Sequence, residues 1–188
     1  MNQARWAVVP AWVAPAHRDV ADCHRMVVQI AEVTGSHEAL GQVAAISWVV
    51  GLRPAPVTQR EEPVTRELVR AEHWVALCDA ANQAEPNEAD WRQLGVEPRA
   101  IVAGNGEFAY GAWTVLGWLL GERLDPPVEL PRRAADGSVP PGEELYTARP
   151  RPDSPLWQEA QRRRRERHRA EAFVAWRRVR DRVGGVGG

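Results

Sequence analysis

Apolar residues recur at helical spacing along most of the first 121 positions. Val20, Cys23, Val27 and Ile30 mark one face of a helix over about 16–33, and Gly35 follows as its stop. Ser36 reads as the N-cap of a second helix over about 37–50, closed by Gly51 and barred from continuing by Pro54 and Pro56. A third begins near Arg66, where Thr65 is the cap and Val64 with Val69 form a hydrophobic staple. It carries Leu68, Val75 and Cys78 on one side and fades near Pro86. A short helix over 88–94 lies between the Asn87 cap and Gly95, and an apolar one over about 107–120 ends at Gly121.

Beyond that the pattern changes. The stretch 122–155 holds eight of the fifteen prolines and reads as extended linker. Ser154 as cap and Pro155 as first helical residue then open a long helix reaching Val183. Only 7–9 and 100–103 resemble strands, and both are too short to count. The expected fold is all-α: an N-terminal arm over 1–15, a helical body over 16–121, a proline-rich linker over 122–154, an arginine-rich helix over 155–183 and a tail over 184–188.

The body also repeats itself. Residues 46–53 (Ile-Ser-Trp-Val-Val-Gly-Leu-Arg) match 116–123 (Leu-Gly-Trp-Leu-Leu-Gly-Glu-Arg) at a constant offset of 70, with Trp, Gly and Arg identical. Upstream, Ala39, Val43 and Ile46 pair with Ala109, Trp113 and Leu116; downstream, Pro56-Val57 resumes as Pro127-Val128 after a one-residue insertion. The expectation is two related helical units, each ending in a buried tryptophan and a left-handed glycine.

Charge sharpens the picture. All 24 basic residues are arginine, a mark of a GC-rich genome such as that of an actinobacterium-like host or its phage. Residues 149–183 hold twelve arginines against five carboxylates, a net of +7, while 1–148 hold twelve against twenty, a net of −8. Within the last helix, 161–169 contains no apolar residue, so hydrophobicity gives it no face to bury. The apolar stripe resumes at Phe173, Trp176, Val179 and Val183. The reading is a helix anchored by its ends or its C-terminal half, with a cationic middle in solvent.

Candidate chemistry adds little. Gly104-Asn105-Gly106-Glu107-Phe108-Ala109 imitates a dinucleotide fingerprint, but a sufficient preceding strand and a following one are missing, so the glycines read as a helix start. Cys23 and Cys78 fall on apolar stripes, without paired-ligand spacing among the histidines, and read as reduced core residues. No serine sits in a nucleophile motif. Of the nine tryptophans, Trp48, Trp74, Trp113 and Trp118 are expected in the core and Trp6, Trp12, Trp91, Trp157 and Trp176 around it.

The sequence therefore points to no catalytic residue, metal or cofactor. The expected role is a non-catalytic interaction or assembly protein, phage- or mobile-element-associated, that presents its arginine helix to an acidic partner or a neighbouring subunit. The candidate partner-binding residues are Arg162, Arg163, Arg164, Arg165, Arg167, Arg169, Phe173 and Trp176. Nucleic-acid binding through the same arginines is the second reading, and an enzyme with a dispersed site the third. The N-terminal residues 1–16 are too interrupted for a signal peptide and no run suits a membrane span, so a cytoplasmic location is expected.

Overall fold

A computed structural model describes residues 9–102, 104–131, 133 and 155–184, with the side chains of the last helix described over 158–181. The described residues form six helices and no strand: α1 (His17–Thr34), α2 (His37–Val49), α3 (Arg66–Ala80), α4 (Glu88–Leu94), α5 (Gly106–Leu119) and α6 (Pro155–Gly184). The capping residues fall where the sequence places them. Ser36 and Thr65 each accept a hydrogen bond from a first-turn amide, and Asn87 with Asp90 forms a reciprocal capping box. α3 is shorter than expected, ending at Ala80, and the chain turns away through Asn82 at a φ of 54°. None of the described helices is long and apolar enough to cross a membrane.

The offset of 70 recurs in three dimensions. α2 and α5 end identically: the amides of Gly51 and Gly121 donate to the carbonyls of Trp48 and Trp118, and those of Leu52 and Glu122 donate to Ser47 and Gly117. Both glycines are left-handed, at φ 75° and 77°. Trp48 and Trp118 are both buried. The preceding helices are related too, with an offset of 49: α1 and α3 start at 17 and 66, and Val20 and Val69 are both fully buried. His24 of α1 lies 3.3 Å from Ser47 Oγ, and His73 of α3 packs against Gly117, the counterpart of Ser47. Each unit is thus a two-helix hairpin, and α4 with its flanking loops is inserted into the second.

The two units meet where α2 crosses α5. A Cβ added to Gly41 would strike the carbonyl oxygen of Phe108, and one added to Gly111 would strike that of Glu38. Only glycine lets the backbones approach this closely, and the two contacts are mirror equivalents under the offset of 70. Around the crossing lie Ile46, Leu116, Leu119, Val75 and Leu77, all essentially without exposure.

Cys23 and Cys78 are free thiols in this core, and burial pushes each up to about 12. Trp48, Trp74, Trp113 and Trp118 are in the core as expected; Trp91, expected at its margin, is buried as well, under the guanidinium of Arg60. Glu72 is a buried carboxylate that organises the loop after the first unit. It accepts from the Val57 and Thr58 amides and the Thr58 hydroxyl. Burial raises its pKa against the pull of those donors.

The described part of the proline-rich stretch is not a free linker. Val128 and Leu130 pack against the core, and Arg133 bonds Asp22 of α1 at 2.6 Å. Residues 134–154, and with them most of the linker and the Ser154 cap, lie outside the described residues, as do Trp6, the side chains of Trp157 and Val183, and 185–188.

Candidate functional site

α6 lies on the body, across α3 and α5. Its inward stripe starts polar and ends apolar. His168, Ala172, Ala175, Trp176 and Val179 are among the less exposed positions, a spacing of three and four that keeps one face toward the body. In the C-terminal half this face supplies the anchor. Ala172 is fully buried, Trp176 and Val179 pack on the core, and the Trp176 indole adjoins the Cys78 thiol. Arg180 spans the rings of Trp74 and Trp176 at 5.6 and 5.7 Å and pairs with Asp90 of α4 at 3.2 Å.

The N-terminal half docks through charge. Arg164 pairs with Glu38 at 2.8 Å, Arg165 with Glu107 at 2.9 Å, and His168 stacks flat on Tyr110 at 4.0 Å. Tyr110 donates to Glu171 at 2.7 Å, and Glu171 also accepts from both terminal nitrogens of Arg123. The cationic middle stays exposed from Arg162 to Arg167, as expected, but two of its arginines, Arg164 and Arg165, reach carboxylates of α2 and α5. Glu38 sits at the pseudo-symmetric crossing, and its burial raises its pKa even with Arg164 opposing. Burial lowers His168 to about 4, with Arg164 adding to the effect, so the imidazole is neutral at pH 7.

The eight candidate residues divide by the direction they face. Arg164 and Arg165 are tied to the body. Arg162 and Arg163 both hold Glu159 within the helix. Arg167 and Arg169 are exposed and make no ion pair among the described residues. Phe173 is 38 % exposed and stacks on Trp176, which alone of the eight is embedded. Exposed Arg177 and Arg178 join the outward face beside Val174, which is 47 % exposed. They fall outside the 161–169 run, so the density of arginine there did not single them out.

Two clefts flank the seat of α6. One, of about 480 Å³, lies between Asn82 and Gln83 of the α3 turn and Arg162, Arg169 and Phe173. The other, of about 410 Å³, is floored by Gly104, Asn105 and Gly106 and walled by Asp79, Arg165 and His168. Here the glycine motif serves as the helix start. Asn105 caps α5 and accepts from the Glu107 and Phe108 amides, which fills the donors a phosphate would use. The helix expected from about 107 therefore starts one residue earlier, at Gly106. Among the described residues no three His, Cys, Asp or Glu side chains converge as metal ligands. No protein-family model, curated protein or solved structure matches the chain.

Proposed function

We propose that the protein is a non-catalytic helical interaction protein whose α6 is held on its own body by one face and offers the other to an acidic partner surface. The observation that carries this reading is the division of the arginines. Arg164, Arg165 and Arg180 are engaged by Glu38, Glu107 and Asp90. The outward face keeps Arg167, Arg177 and Arg178 around Phe173 and Val174. An apolar centre ringed by guanidinium groups is the pattern of a protein contact, where aromatic burial supplies affinity and arginine supplies orientation. Phosphate recognition needs only charge and reach, and two arginines of the densest run are already committed to carboxylates.

The test is affinity capture from the cells that make the protein, comparing wild type with Arg167→Glu/Arg177→Glu/Arg178→Glu. The reading expects a bound protein that survives nuclease treatment and disappears in the variant. Recovery of nucleic acid without a protein partner would overturn it in favour of an accessory role on nucleic acid.

A further inference from the structure

The seat of α6 has a counterpart on the first unit, and among the described residues no helix lies on it. Stepping back by 49 residues on the first helix of each unit, buried Trp74 and Ala81 become exposed Arg25 and Glu32. On the second helix, stepping back by 70, Tyr110 at 6 % exposure becomes Leu40 at 43 %. Buried Trp113 becomes half-buried Val43. Arg123, which holds Glu171, becomes exposed Arg53, with no carboxylate in ion-pair distance among the described residues. The helices that form the groove repeat, while the helix that fills it does not.

We propose that this α1–α2 groove is a second docking seat, for an amphipathic helix of a partner protein that carries carboxylates beside its apolar face. The filled seat shows that a helix fits this geometry, and charge selects which helix. Of the three carboxylates that hold α6, Glu107 is replaced by His37 and Glu38 by Phe108, and Asp90 belongs to α4, which the first unit lacks. A second copy of α6 would find no acceptor for its arginines at these positions. Arg53 stands where its counterpart takes Glu171, and Arg25 where Trp74 lies under Arg180; Glu32 is the opposing acid at the α1 edge. Leu40 and Val43 supply the apolar floor. An acidic amphipathic helix lays its apolar residues on that floor and its carboxylates on Arg53, with Arg25, which lies 4.0 Å from Asp22 of its own helix, as the second cation. The proposal does not depend on the role assigned to the outward face of α6.

The experiment uses the full chain and two synthetic peptides of about 20 residues, a length at which designed helices hold together. Both carry a leucine stripe, one flanked by glutamate and the other by arginine, and binding is followed by amide NMR shifts. The glutamate peptide should bind saturably, with shifts centred on Leu40, Val43 and Arg53. The arginine peptide should bind at least about tenfold more weakly. Leu40→Glu and Arg53→Glu should each weaken the glutamate peptide about tenfold. Both positions are exposed, so the melting temperature should stay that of wild type, while Arg177→Glu on α6 should leave the affinity unchanged. Absent saturable binding, equal affinity for the two peptides, shifts confined to α6, or indifference to Arg53→Glu would each overturn the proposal. So would a dimer that Leu40→Glu converts to monomer, because the groove would then be an interface between copies.

Discussion

Gly41 and Gly111, seventy residues apart, face each other across the α2–α5 crossing, each against the carbonyl of the residue three places before the other. A methyl group at either position has no room, because what it meets is backbone. Gly41→Ala and Gly111→Ala should therefore each destabilise the protein by about 3 kcal/mol or more, at the upper end for overpacked sites. Gly51→Ala meets open space and bears only the cost of a left-handed φ, about 1–2 kcal/mol. Denaturant unfolding would check the order. A Gly41→Ala protein as stable as wild type would contradict the close crossing.

The two-unit architecture was partly legible because the helix ends carry strong local chemistry. Trp48 and Trp118, the glycines after them and the arginines two beyond are identical pairs in the sequence. The α1–α3 relationship was not legible. Little but Val20 and Val69, and His24 and His73, is shared, and the insertion of α4 breaks the single offset that a reader would follow. Trp91 was misplaced because a seven-residue helix has too few positions to show which face is buried. The docking of Arg164 and Arg165 left no periodic trace, since complementary charge, unlike an apolar stripe, has its partner elsewhere in the chain.

Buried histidines make stability sensitive to mild acid. His24 and His168 are lowered to about 4 and His73 to about 3, in each case chiefly by burial. A folded-state pKa below the unfolded value means that the unfolded chain binds the extra protons. The stabilisation is complete above pH 6.5 and is lost as pH falls toward 4, at up to about 1.4 kcal/mol per pH unit for each histidine. The raised carboxyls of Glu38, Glu72 and Asp79 work in the opposite direction, adding stability as pH falls from their raised folded values toward the ordinary carboxylate range. The melting temperature should be flat above pH 7 and decline from 6.5 to 5, less steeply in His24→Gln. A pH dependence over that interval identical in His24→Gln and wild type would contradict the neutral, buried state of that ring.

Glu72 closes the 55–60 loop with three hydrogen bonds, so Glu72→Ala strands two amides and a hydroxyl in the interior. Each unsatisfied donor costs about 1–3 kcal/mol. The variant should lose several kcal/mol of stability, and Glu72→Gln, which keeps an acceptor oxygen, markedly less. Equal losses in the two would show that the carboxylate, and not its accepting geometry, matters.

Trp176 should outweigh the arginines in holding α6. The Arg164 and Arg165 side chains are 46 % and 63 % exposed, and ion pairs of that kind contribute about 0.2–1 kcal/mol each. Removing a tryptophan from a packed site costs about 3–5 kcal/mol, somewhat less where part of the ring is in solvent. Cys78 reports the difference, since it is fully buried and adjoins Trp176. Thiol labelling of Cys78 should accelerate in Trp176→Ala more than in Arg164→Ala/Arg165→Ala, with Cys23 protected in both. Unchanged Cys78 labelling in Trp176→Ala would mean that α6 is fastened by its charges.

The central claim, that α6 serves a protein surface and not phosphate, is tested most directly by duplex DNA affinity across a salt series. Each phosphate neutralised contributes about −0.9 to the slope of log affinity against log salt. The measurement compares wild type, Arg162→Ala/Arg163→Ala/Arg164→Ala/Arg165→Ala and Trp176→Ala. The reading predicts weak, non-specific binding at physiological salt, with little dependence on the four arginines. Tight, steeply salt-dependent binding that needs Arg162 to Arg165 and persists in Trp176→Ala would contradict it.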